Sequence, residues 1–264
     1  MLALNHKKHL IMTRFILWLF VCSLFVISCT SSDSDIAQPA TDTGTGGSLA
    51  RFTIVGNYLY TLDQSRLTAV DISNPEAPKK TEVVEVGNGA ETIFPLNDYL
   101  LLGTRTGMLI YRIGDNGRPD FVSSYEHIIS CDPVVANEQY AYVTLRAAGC
   151  RGAGIGARDL LDVIDISDTE RPKMVASYDM DSPYGLGLDG VVLFVCEGSN
   201  GLKVFSLAED PTFPQLITTF ANIDARDVIP LDGTLLVVGP EKLMQLDYRD
   251  LNNLKIISEI SIGA

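Results

Sequence analysis

One pattern recurs along this chain at a fixed period, and that period limits the fold more than any single motif does. The segments "LTAVDISNPEAPK" (67–79), "MLIYRIGDNGRPD" (108–120), "LDVIDISDTERPK" (161–173), "LKVFSLAEDPTFPQ" (202–215) and "LMQLDYRDLNNLK" (243–255) align on Asp71, Arg112, Asp165, Ser206 and Asp247. The steps between these markers are 41, 53, 41 and 41 residues, so the unit is 41 long with 12 extra residues in the third. A second shared block precedes each marker: "NYLYTL", "DYLLLG", "QYAYVT", "GVVLFV" and "GTLLVV".

Each unit reads as four short strands divided by turn signals. In the second unit these are "ETIFPL", "YLLLG", "MLIYRI" and "FVSSY", separated by "ND", "TRTG" and "GDNGRP". Connections this short demand antiparallel pairing. Yet "LLL", "VVLFV" and "LLVV" are continuously apolar, as strands buried on both faces are. Antiparallel four-stranded sheets, covered on both sides and repeated in tandem, are the blades of a β-propeller. The expectation is an all-β, five-bladed β-propeller over residues 51–264, with no helix between strands.

The segments "LDVIDIS", "LTAVDIS" and "LKVFSLAEDP" resemble the LVIVD repeat, a propeller-type repeat of secreted and surface proteins. The similarity is strong in the first, third and fourth units and weak in the fifth, where "MQLDYRDLNN" lacks the usual prolines. It implies a propeller in the cell envelope and no common catalytic activity.

The chain opens with a targeting segment. Lys7, Lys8 and Arg14 precede the apolar run "FILWLFVCSLFVI" (15–27), which is too short to span a membrane comfortably. The following "VISC" resembles the bacterial lipobox, so residues 1–28 read as a lipoprotein signal peptide and Cys29 as the lipid attachment site. Residues 29–50, polar and small, read as a tether whose flexible part spans about 25 Å. The expected address is the bacterial cell envelope, at the outer membrane, with the membrane engaged through the lipid anchor.

The net charge is −13, and removal of the leader leaves 17 Lys and Arg against 33 Asp and Glu, or −16. Nucleic acid is repelled by such a chain and is excluded as a partner. The partner expected is an envelope protein or a glycan, met by a monomer.

The insertion contains "GAGIGA", whose Gly152, Gly154 and Ala157 have the G-x-G-x-x-A spacing of a dinucleotide loop. It leads into a strand, whereas a phosphate cradle needs a helix N-terminus at that place. The stretch is therefore an elaborated loop between the second and third strands of the third blade. No cofactor motif occurs elsewhere, and "DNGRPD" (115–120) is a hairpin turn rather than a calcium loop. Nothing in the sequence spells a metal site.

Cys131 and Cys150 flank the first hairpin of the third blade and are placed to form a disulfide, which an oxidising compartment permits. Cys196, in "VLFVCEG", reads as a small core residue. His127 is the single histidine beyond the leader, too few for a histidine triad or a zinc site.

Polar residues stand where the inner strands begin: Arg51, Glu91, Asp132, Tyr184, Arg226 and Asp227. They are expected at the channel mouth, on the insertion's face, as a ligand site or as a solvated ring. Arg146, Arg151 and Arg158 add positive charge from the insertion. A non-enzymatic binding or interaction module is the functional expectation. The alternative is an extracellular carbohydrate-active hydrolase, with Glu91, Asp132 and Asp227 as its carboxylates.

Overall fold

The computed structural model describes residues 46–63, 65–126, 133–147 and 158–263. Twenty strands form five four-stranded antiparallel sheets, and the described residues contain no helix. Blade 1 holds β1 (Phe52–Val55), β2 (Tyr58–Asp63), β3 (Arg66–Asp71) and β4 (Lys79–Glu85). Blade 2 holds β5 (Ala90–Leu96), β6 (Tyr99–Thr104), β7 (Gly107–Ile113) and β8 (Pro119–Glu126). In blade 3 these are β9 (Val134–Ala136), β10 (Tyr140–Leu145), β11 (Leu160–Asp165) and β12 (Lys173–Asp179). Blade 4 has β13 (Leu186–Asp189), β14 (Val192–Cys196), β15 (Leu202–Ser206) and β16 (Gln215–Phe220). Blade 5 has β17 (Asp227–Leu231), β18 (Thr234–Val238), β19 (Lys242–Asp247) and β20 (Lys255–Ser261).

Local chemistry explains the repeated marker. Asp71, Asp165, Ser206 and Asp247 each accept a hydrogen bond from the backbone N–H two residues on, at Ser73, Ser167, Ala208 and Arg249. A side chain that caps its own backbone starts the turn out of the third strand. A second such turn follows in the same connection, at Asn74, Asn116, Asp168, Asp210 and Asp250. The first hairpin of each blade is tighter still. In blade 5, Asp232 and Gly233 both have positive φ, 40° and 82°, as a two-residue type I′ turn requires. The third and fourth strands shift register at the same place in all five blades, from Ala69/Val70 to Gln245/Leu246. Such a bulge adds twist to the outer strand.

The core lies between blades. One cluster joins blades 1 and 2 through Tyr60, Leu67 and Tyr111, and a second joins blades 2 and 3 through Leu101, Ile110 and Ile164. A third joins blades 3 and 4 through Tyr142, Val163 and Phe205. The fourth joins blades 4 and 5 through Phe194, Val204 and Leu246, with Phe194 edge-on to Tyr248 at 5.1 Å between centroids. Tyrosine hydroxyls bind across two junctions: Tyr60 donates to Gly117 O and Tyr142 to Pro211 O, both at 2.9 Å.

The middle strands are not all alike. Strands β6, β10 and β14 are buried on both faces, whereas β2 and β18 alternate between buried and half-buried positions. The sequence reading of "LLVV" (235–238) as buried on both sides is thus corrected: Leu235 and Val237 pack against blade 4, and Leu236 and Val238 do not.

Leu101 and Leu236 occupy the same repeat position, opposite Ile110 and Gln245. Leu101→Ala, at a cored junction, should cost about 2–5 kcal/mol. Leu236→Ala should cost less than half of that, because little apolar surface is lost. Urea denaturation of both variants makes the comparison, and equal losses would contradict it.

Candidate functional site

The inner strands β1, β5, β9, β13 and β17 begin on one face, where the connections from blade to blade also lie. Residues 46–50, which the sequence places in the tether, pack there too, with Gly47 and Ser48 buried. Ala50 O accepts the N–H of Ile93, so this segment is stitched to blade 2 before β1 starts.

Its other anchor is Asp227. Ser48 Oγ donates to Asp227 Oδ1 at 3.1 Å and accepts the Leu186 N–H at 2.7 Å. A Cβ on Gly47 would stand 2.1 Å from Asp227 Oδ2, and one on Gly185 2.2 Å from Oδ1. The carboxylate is therefore wedged between two glycines that no other residue can replace without moving it. Burial pushes the Asp227 pKa up to about 6, against hydrogen bonds from Val228, Ser48 and Leu49 that favour the charged form. Desolvation wins over those donors. Asp227 is spent on holding the N-terminal segment in the channel.

Beside it, two guanidiniums lie against one tyrosine ring. The guanidinium carbons of Arg226 and Arg146 are 4.0 Å and 4.2 Å from the Tyr184 centroid. These are cation–π distances. The ring is fixed through its backbone: Tyr184 N donates to Cys196 O, and Thr144 Oγ1 donates to Tyr184 O at 2.5 Å. Gly198, with φ 55°, packs against the ring, where a Cβ would come within 2.9 Å of Tyr184 Cε2. Arg226 is also held by Asp224 through two bonds of 2.7 Å and 3.0 Å. That pairing, ahead of the Tyr184 contact, raises the Arg226 pKa above its ordinary value. A cavity of about 530 Å³ shares Asp224 as a wall and is lined further by Ile223, Lys242 and Met244.

Of the remaining expected residues, three are described away from this stack. Arg51 is exposed at the start of β1. Glu91 lies 3.9 Å from Arg105, in a half-exposed pair. Arg158 pairs with Asp179 on the surface. Cys29, His127, Cys131, Asp132, Cys150 and Arg151 lie outside the described residues, and with them the proposed lipid site and disulfide. Cys196 is buried, and burial, helped by the Asp227 charge, pushes its thiol pKa well up.

One polar group escaped the sequence reading. Glu197 is fully buried, receives the Asp181 N–H at 3.1 Å, and lies 2.8 Å from Lys203 Nζ. Burial works against the Lys203 charge, but Glu197 and Asp181 together outweigh it and raise the pKa. The "CEG" following an apolar strand carried the signal: a charged residue directly after a core cysteine needs a buried partner.

A model of the LVIVD repeat matches residues 46–86 and 155–180, which are blade 1 and much of blade 3. The fourth unit, whose sequence also resembles the repeat, falls outside the match. Solved structures share the fold. A functionally unknown protein from Desulfotomaculum acetoxidans has a TM-score of 0.63 at 13% identity, over 84% of this chain and 70% of that one. A protein from Lactobacillus plantarum has 0.62 at 16%, over 78% and 69%. The periplasmic gluconolactonase PpgL of Pseudomonas aeruginosa has 0.59 at 15%, over 79% and 68%. Identities this low make the likeness one of fold. No curated protein matches the chain.

The Asp227 clamp makes stability depend on pH. Its folded pKa of about 6 lies above the ordinary carboxylate value, so its contribution is full below about pH 4 and is lost as pH rises through 6. Asp227→Asn should flatten the fall in unfolding free energy between pH 4 and pH 7 by up to about 2–3 kcal/mol. Denaturant titration of wild type and variant at both pH values checks it, and parallel curves would contradict it.

Proposed function

We propose that this five-bladed propeller is a binding module, held at the bacterial cell envelope by a lipid on Cys29, whose working face carries the insertion. The reading rests on one observation: Tyr184 with the guanidiniums of Arg146 and Arg226 against its ring, in a chain of net charge −13. Positive charge beside the ring of an otherwise acidic protein attracts carboxylates and repels cations. A guanidinium binds carboxylate oxygens through its N–H groups, of which Arg226 gives its Nε and Nη2 to Asp224, and the Tyr184 ring holds both guanidiniums in place. A carboxylate-bearing glycan is the ligand class this arrangement fits.

The hydrolase alternative needs two carboxyls facing across an open cleft, about 5–10 Å apart. Of its three candidates, Asp227 is covered by Gly47 and Ser48, and Glu91 stands beside Arg105. Asp132 lies outside the described residues. One relative in fold is a gluconolactonase, and a hydrolytic reading of this chain would draw on Asp227, whose pKa lies near 6. The state of that carboxyl, buried against the N-terminal segment, favours binding over acid–base work.

Calorimetric titration with oligogalacturonate tests the reading. Wild type should bind, more weakly as salt rises, and Tyr184→Leu and Arg146→Ala should each lose at least about tenfold in affinity, or 1.4 kcal/mol. No binding by wild type, or unchanged binding by both variants, contradicts it. Turnover of the glycan by wild type but not by Asp227→Asn would favour the hydrolase. The anchor has its own test: Cys29→Ala should move the protein from the membrane to the soluble fraction. A leader-cleaved variant that stays on the membrane would sink that part.

A further inference from the structure

The stack on Tyr184 is assembled from connections rather than strands. Tyr184 belongs to residues 180–185, which join β12 to β13, and Arg226 to residues 221–226, which join β16 to β17. A side chain carried on a connection keeps its place only where other bonds hold the backbone beneath it.

One short turn bonds to both connections. Residues 197–201 join β14 to β15. Gly198 exchanges backbone hydrogen bonds with Ala225 in both directions, each of 2.9 Å, one residue before Arg226. Toward blade 3, Glu197 Oε1 accepts the Asp181 N–H at 3.1 Å, and Cys196 O accepts the Tyr184 N–H at 2.7 Å. The turn is closed within itself, with Glu197 N–H on Gly201 O at 2.8 Å and Gly201 N–H on Gly198 O at 3.0 Å.

Of these bonds only the one to Asp181 runs through a side chain, and that side chain is a fully buried carboxylate. Lys203 compensates its charge from 2.8 Å and also reaches Asp181 Oδ2 at 3.4 Å, so the pair grips the connection at backbone and side chain. Pro183 has no N–H, and the next backbone donor engaged after Asp181 is Tyr184 itself. The bonds at Tyr184 fix one point of its backbone. The bond at Asp181 fixes the direction from which the chain enters that point, and two points set the direction of the ring. A buried ion pair adds little stability over apolar residues of the same shape, so the geometry it enforces is its contribution here.

We propose that Glu197 is the positioning residue of the stack, aiming the Tyr184 ring at the guanidiniums of Arg226 and Arg146 by holding the Asp181 N–H. It touches no ligand and acts through Tyr184. Its part in binding rests on the carboxylate-binding reading of the stack, whereas its part in the geometry does not.

Two double variants separate positioning from packing. The first, Glu197→Leu with Lys203→Met, replaces the pair by apolar residues of similar size and should fold with an unfolding midpoint close to that of wild type. The second, Glu197→Gln with Lys203→Met, also removes both charges, but an amide oxygen still accepts the Asp181 N–H. Arginine-selective labelling of the purified full chain in a mild detergent gives the Arg226 Nε–H signal by NMR, identified as the one missing in Arg226→Lys. Protons over a ring face are shifted upfield, so this signal reports the stack without a ligand. Wild type and the second variant should show it upfield and bind oligogalacturonate within about twofold of each other. The first variant should lose the upfield shift and at least about tenfold in affinity. An upfield signal or undiminished affinity in the first variant overturns the proposal, as does loss of either in the second. Asp181→Pro removes the donor and leaves Glu197 with Lys203; it replaces a double variant that fails to fold by circular dichroism, and an upfield signal in it overturns the proposal equally. A wild type that shows the upfield signal but binds no oligogalacturonate contradicts the glycan reading alone, and the arginine signal then still decides the role of Glu197.

Discussion

A four-stranded blade with apolar side chains on both faces cannot bury them by itself, and everything else in this molecule follows from that. Each blade needs a neighbour on either side. Fully burying one Leu, Val or Phe side chain is worth about 1.5–3 kcal/mol, so a junction with several such residues supplies most of the stability its two blades have. The four cored junctions do this with the same positions each time, marked by Leu67, Met108, Leu161 and Leu202. The turns at Asp71, Asp165 and Asp247 and the shared bulge keep the register that brings those positions together.

Regularity in the core leaves function to the irregular residues. At the channel mouth the blades depart from one another: blade 5 brings Arg226 and Asp227, blade 4 brings Tyr184, and blade 3 brings Arg146 at the foot of its insertion. Asp227 looks like a catalytic carboxylate from its pKa but is engaged with Ser48 and boxed in by Gly47 and Gly185. The perturbed pKa here reflects a structural clamp, as buried ion and hydrogen-bond networks often do. Tyr184 is the residue on which two cations converge.

The blades were legible because a fixed 41-residue period with strand-like runs admits few architectures, and the turn-forming aspartates recur in register. The channel was less so. Ser48 lies in a small, polar stretch that has no apolar periodicity, and a glycine–serine pair gives no sign that it will fill a gap beside Asp227. Arg226 and Tyr184 were named as neighbours on one face, but the stacking of Arg146 on the same ring depends on how blades 3 and 4 meet, which local pattern does not encode. The junction of blades 5 and 1, which has no hydrophobic cluster among the described residues, was written in the sequence in a form easy to pass over. Gln245 and Lys80 each break an apolar column across the repeats, visible only once the strands are placed opposite one another. "LLVV" reads as a doubly buried strand because apolar runs do not reveal whether a neighbour exists to cover the second face.

Native-state hydrogen exchange, followed by mass spectrometry at high dilution, tests most directly the claim that four cored junctions carry the fold. Backbone amides of β6, β10 and β14, covered on both faces, should open only with global unfolding and exchange slowest. Those of β2 and β18, covered on one face, should exchange through local opening at lower free energy. Equal protection of the middle strands of all five blades would contradict the account, since it would require the fifth junction to be as well packed as the other four.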